Sequence, residues 1–136
     1  MGKRLKYKYH RDGEIPLPGT RSIFVFGSND RGAHGKGAAL IAKDLYGAEY
    51  GVGSGLMGRC YGIPTKDRFM RTKSLYEIKR DVDFFVKFTH SRPDLDFWIT
   101  SVGCGLAGYK GWQVGVFFKG CNTNCNFPKN WRPYVE

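Results

Sequence analysis

A chain of 136 residues, 41% hydrophobic and 15% aromatic, has the apolar mass for one folded domain and is not an intrinsically disordered chain. Its longest aliphatic and aromatic runs are about four residues, far short of the ~20 of a membrane span, so no membrane partner is expected. The net charge of +10 directs attention to nucleic acids and to small phosphorylated ligands.

The first ten residues, "MGKRLKYKYH", carry charge but no apolar core, so they do not read as a secretory leader and a cytoplasmic protein is expected. Residues 1–21 hold Lys3, Arg4, Lys6, Lys8, Arg11 and Arg21 against Asp12 and Glu14, a net +4 of the +10. They read as a basic, solvated N-terminal arm, or as an edge strand over 6–10, where Tyr7 and Tyr9 alternate. Residues 22–136 form the main domain. "GEIPLPGT" is a loop, and "IFVF" within 22–26 suits a strand covered on both faces. A helix is predicted over 37–46, with Ala38, Ile41, Ala42 and Leu45 on its apolar face and Gly47 ending it. "GVGSGLMG", 51–58, reads as a loop, and 59–63 as a strand ended by Pro64. The longest helix is predicted over 74–90, opened by the capping box Ser74–Glu77, with Leu75, Ile78, Val82, Phe85 and Val86 inward. A buried strand over 96–102, a short helix over 112–118, a last strand over 122–127 and a tail complete the chain. Strand, loop and helix thus recur twice, which predicts an α/β domain with a mostly parallel sheet and ligands bound where the strands end.

Two glycine-rich loops follow the buried strands at the positions where such ligands bind. The first, "GSNDRGAHGKGAAL", matches neither a Walker A loop nor a dinucleotide fingerprint, yet it has the same physical ingredients. Glycines allow close backbone approach, and successive N–H groups ending at a helix start make an anion nest. Its candidate ligand-binding residues are Gly27, Ser28, Asn29, Gly35, Lys36, Gly37 and Ala38, with Asn29 placed to hydrogen-bond a sugar hydroxyl. The second, "VGCGLAGY", offers Gly103, Cys104, Gly105, Leu106, Ala107, Gly108 and Tyr109. Tyr109 is a candidate for stacking on a base or ribose, whereas Trp112 is expected in the core. Cys104 would act as a nucleophile only with a base, His34, brought to it by contact between the loops; packing as a small apolar residue is the expected role. Cys121 and Cys125, in "CNTNC", lack a second matched pair for zinc, so no metal is expected and all four cysteines are read as free thiols.

These segments resemble the macrodomain, the fold that binds ADP-ribose, and within it the compact bacterial and phage members and the branch that removes ADP-ribose from glutamate. "HGKGAALIAKDLYG" resembles that branch's glycine loop and first helix, "CYGIPTKD" its strand ending in a Thr-Lys pair, "SLYEIKRDVDFFVKF" the helix after it, and "ITSVGCGLAGY" its Gly-Cys-Gly-Leu loop. The resemblance covers roughly residues 22–128. It implies a macrodomain-like three-layer domain and a diphosphate held by the backbones of 35–38 and 105–108, with Ser28 and Asn29 near the adenosine or proximal ribose. The ligand implied is ADP-ribose or a related NAD-derived nucleotide, free or on an ADP-ribosylated protein, with no cofactor. It further implies Lys66 as the nucleophile that attacks the distal ribose. The branch's assisting aspartate is replaced by Ala107, leaving Asp67 or Asp30 as substitutes. Hydrolysis of an ADP-ribose linkage, binding without cleavage, and nucleic-acid binding through the basic arm are therefore the readings carried forward.

Overall fold

The computed structural model describes residues 5–136. Six strands form one mixed sheet: β1 (Lys8–His10), β2 (Ser22–Asn29), β3 (Gly55–Met57), β4 (Cys60–Lys66), β5 (Asp96–Ile99) and β6 (Cys125–Pro128), in the order β1-β6-β5-β2-β4-β3. All pairings are parallel except β3 with β4. The helices α1 (Gly37–Tyr46), α2 (Leu75–Ser91), α3 (Gly111–Val114) and α4 (Arg132–Val135) cover the two faces, so the chain is a three-layer α/β domain.

The alternation of β2 explains the layers. Ile23 and Val25 point to one face, where they meet Ile78, Val82 and Phe85 of α2 together with Phe118 and Trp131. Phe24 and Phe26 point to the other, against Ala39, Ala42 and Tyr46 of α1. Both sets are buried, which is why the strand reads as an unbroken apolar run. The buried stripe of α1 is therefore rotated from the predicted one: Ala39, Ala42 and Tyr46 face inward, while Leu45 is exposed. Two alanines let the helix lie close to Phe24, whose ring stacks on Tyr46 at 4.7 Å. In α2 the predicted face is the observed one, and Ser74 and Glu77 make the reciprocal capping box.

Three stretches depart from expectation. The segment 51–58 is not all loop, because Gly55–Met57 pairs antiparallel with Cys60–Gly62. Pro64 lies inside β4 instead of ending it. There β3 has already stopped and the β2 ladder shifts register between Ser28 and Asn29, so a residue without an N–H is tolerated. The C-terminal residues are not a tail: a 3₁₀ turn, Lys129–Trp131, and α4 bury Trp131 and Val135 in the larger core. At the other end, Lys8–His10 forms the edge strand, Tyr7 is buried against Phe127, and His10 stacks on Trp98. Lys3 and Arg4 of the predicted arm lie outside the described residues. No helix among the described residues is long and apolar enough to cross a membrane.

Truncating Trp131 to Ala empties the centre of the larger core, and we expect a loss of about 3–5 kcal/mol in chemical denaturation. A loss below about 1 kcal/mol would mean that the C-terminal turn packs loosely.

Candidate functional site

The parallel strands β2, β4 and β5 end on the same edge of the sheet, and a cavity of about 970 Å³ opens there. Both glycine loops line it. From the first come Gly27, Ser28, Asn29, Gly35, Lys36, Gly37 and Ala38; from the second, Gly103, Cys104, Gly105, Leu106 and Ala107. The loops face each other closely: a Cβ on Gly37 would lie 3.9 Å from Leu106 Cδ1. Lys66, at the end of β4, also reaches the cavity.

The first wall leaves donors open. Lys36 precedes α1 with no side-chain cap, in contrast to the fully capped α2. The first i→i−4 bond of α1 is Leu40 N to Lys36 O, so the N–H groups of Gly37, Ala38 and Ala39, all at the cavity, have no helical partner. The turn needs Gly37 at φ +58°, a conformation that L side chains rarely adopt. The second wall is similar: Cys104, Gly108 and Tyr109 donate their N–H groups to Ser101, Gly105 and Gly103, while those of Gly105, Leu106 and Ala107 make no hydrogen bond among the described residues. Two sets of unpartnered donors thus border one space.

Ser28 and Asn29 line the cavity, but their side chains are committed elsewhere. Ser28 Oγ donates to the Gly53 carbonyl. Asn29 Nδ2 donates to Ala33 O at 2.7 Å and its Oδ1 accepts from Ala33 N at 3.1 Å, closing the loop on itself. The 51–55 segment braces this loop from behind. A Cβ at Gly53 would fall 2.0 Å from Asn29 O, so the two backbones touch as only glycine allows. His34 turns to the same brace, with Nε2 facing the carbonyls of Glu49 and Val52 at 2.9 and 3.0 Å. Its Nδ1 is buried without a hydrogen-bond partner, and His34 does not line the cavity with Cys104, so the two are not paired as base and nucleophile. Burial, with Asp12 nearby, pushes the Cys104 thiol up to about 11, and its S–H points to Val102 O.

Asp67, Gly108 and Tyr109 lie outside the cavity lining. The Asp67 carboxylate accepts from Arg71 N at 3.0 Å, Phe69 N at 2.9 Å and Arg71 Nε at 3.0 Å, and these hold it below the usual carboxylate range. It braces the 67–71 turn and is not free for proton transfer. Tyr109 donates its hydroxyl to Lys73 O and packs on the core, and Gly108 sits in the turn that makes this possible. Asp30 pairs with Lys73 at 2.8 Å, and Asp81 lies 3.7 Å from the same buried ammonium. Trp112, expected in the core, is 61% exposed.

The cavity also has a side that the glycine loops do not supply. His10, at the end of edge strand β1, and Asp12, Gly13, Glu14 and Ile15 after it form this side with Phe24 and Ile41. Asp12 accepts from Ser101 Oγ at 2.7 Å, and Trp98 Nε1 donates to Glu14 O at 3.0 Å, which holds this segment against the end of β5. The cavity carries charge of both signs: Lys36 and Lys66 line it, as do Asp12 and Glu14, with Asp12 beside the start of the second glycine loop. No cluster of three or more His, Cys, Asp or Glu among the described residues could hold a metal. Comparisons with protein-family models, curated proteins and solved structures find no match.

Two measurements check this geometry. Gly53→Ala forces backbones apart and is expected to lower stability by about 1–3 kcal/mol; an unchanged denaturation midpoint would refute the close approach. Alkylation of Cys104 is expected to climb about tenfold per pH unit toward pH ~11, since only the thiolate reacts. A plateau already reached at pH 8 would contradict the burial described.

Proposed function

We propose that the chain binds ADP-ribose, or a related NAD-derived nucleotide, in this cavity. The observation that carries the reading is that two loops lining one cavity of about 970 Å³ both leave backbone N–H groups unpartnered, one of them at an uncapped helix start. The diphosphate would lie at the loops near Lys36, and the base would lie among Ile15, Phe24 and Ile41, with Asp12 available to accept from an exocyclic amino group. The volume matches ligands of nucleotide size. The resemblance of "HGKGAALIAKDLYG" and "ITSVGCGLAGY" to macrodomain loops supports the same reading.

Binding without cleavage is the function favoured. The carboxylates lining the cavity are Asp12 and Glu14, which already accept from Ser101 Oγ and Arg11 N, and Ala107 offers no proton donor. Hydrolysis is the second reading, and it rests on Lys66, which lines the cavity and makes no ion pair among the described residues. As a free amine, Lys66 would attack the anomeric carbon of the distal ribose and displace the attached group; water would then release the sugar.

Calorimetry with ADP-ribose, against AMP and NAD, is the decisive test. Saturable one-to-one binding is expected, weakened more than tenfold by Gly35→Glu and by Gly105→Glu, positions where a Cβ meets open space and the fold is undisturbed. No binding at millimolar ligand would remove the proposal. The two readings separate on recovery of the ligand: unchanged ADP-ribose conjugate supports binding alone, while turnover lost ~10²-fold in Lys66→Ala establishes hydrolysis.

A further inference from the structure

Beyond the cavity, the turn after β4 builds a second hollow. Met70, at φ +63°, points into the cavity, while its neighbours Arg68, Phe69 and Arg71 line a groove of about 730 Å³ on the other side, together with Asp30, Arg31 and Asp67. Both carboxylates there are already engaged, Asp67 by Arg71 and Asp30 by Lys73. Arg31 and Arg68 are exposed and make no ion pair among the described residues. Phe69 is 70% exposed, and the Arg71 guanidinium lies 5.0 Å from its ring centroid, leaving most of the ring open. The turn is held rigid by the three bonds to Asp67 and by the Lys66–Thr72 bridge, so the ring is presented rather than loosely tethered.

We infer that this groove binds single-stranded nucleic acid, with phosphates at Arg31 and Arg68 and a base stacked on Phe69. An exposed ring flanked by arginines is the pairing that single strands use, since every base has a face to stack and every linkage a charge to neutralise. A net charge of +10 adds long-range attraction to such a polyanion. An acidic polypeptide would use the arginines but would gain little from the ring. The groove also relocates the nucleic-acid reading drawn from the sequence: residues 7–15 are built into the sheet edge and the cavity wall, whereas the 67–71 turn offers charge and a stacking surface together. Binding in the groove requires nothing of the cavity, so its test stands or falls apart from that of ADP-ribose.

Fluorescence anisotropy with a labelled oligothymidylate reads the interaction. Saturable binding is expected, weakened about tenfold by Phe69→Ala. The Arg31→Gln/Arg68→Gln variant should flatten the slope of log K against log salt by about 1.4, two phosphates at ~0.7 each for a single strand. The Lys3→Gln/Arg4→Gln variant should retain the position of the contact. Irradiation of the wild-type complex with a 4-thiothymidine oligonucleotide should place the adduct within residues 67–71, a readout that needs no variant. Absence of binding at low salt, adducts only elsewhere, or an oligoglutamate that displaces the DNA and binds equally well to Phe69→Ala would overturn the inference, the last in favour of an acidic polypeptide.

Discussion

The fold hangs on β2 being covered on both faces. Ile23 and Val25 enter one core, Phe24 and Phe26 the other, and each such burial is worth roughly 1.5–3 kcal/mol. The strand lies in the middle of the sheet, between β4 and β5, and both neighbours run parallel to it. Parallel pairing obliges each strand to leave the sheet at the same edge. The loops after β2, β4 and β5 therefore converge, and the cavity is the space between them. Its existence is a consequence of topology; its chemistry is a consequence of the residues that the loops carry.

Those residues divide the work between structure and vacancy. The polar side chains of the first loop, Ser28, Asn29 and His34, spend their hydrogen bonds on backbone carbonyls and fix the loop's path. The donors left over belong to the main chain. A helix start that lacks a side-chain cap normally loses about 1 kcal/mol relative to one with Ser, Thr, Asp or Asn, and α2 shows that this sequence uses such a cap where the helix begins at the surface. Placing Lys36 and Gly37 at the start of α1 forgoes that gain. An anion placed at such a helix start would restore it, because the partial positive charge and the free N–H groups there would act on that anion instead.

Local pattern was legible in the sequence; contact between distant segments was not. The bounds of α1, the cap of α2 and the apolar course of β2 each follow from spacing within about ten residues. So does the facing of two glycine loops, once two strand–loop–helix units are recognised. The brace behind the first loop was invisible, because Gly51, Gly53 and Gly55 read as punctuation, whereas Gly53 is required by the Asn29 carbonyl against it. The rotation of α1 was invisible for a related reason: Ala39 and Tyr46 outcompete Leu45 only because Phe24 and Phe26 lie beneath them. The two carboxylates of the cavity lining, Asp12 and Glu14, come from a segment that composition marks as basic, and only the pairing of β1 with β6 carries them there. Asp67 shows the converse error. Its place next to Lys66 suggests chemistry, but the carboxylate folds back on its own turn.

That turn bears on what the cavity can do. Acid–base work at Lys66 needs a carboxyl group able to gain and lose a proton near the reacting atoms. Asp67 is held ionised by the Arg71 and Phe69 N–H groups and the Arg71 guanidinium, and Asp30 is drawn off by the buried Lys73, which Asp81 also approaches. Both acidic residues nearest Lys66 in the chain or across the sheet are thus used to rigidify the ridge between cavity and groove. Rigidity of this kind favours holding a ligand, since a pre-shaped wall loses little entropy on binding. It supplies no proton to a leaving group. The same two carboxylates are spent on the turn and on Lys73, and the ridge they brace carries Arg31, Arg68 and Phe69 along the neighbouring groove.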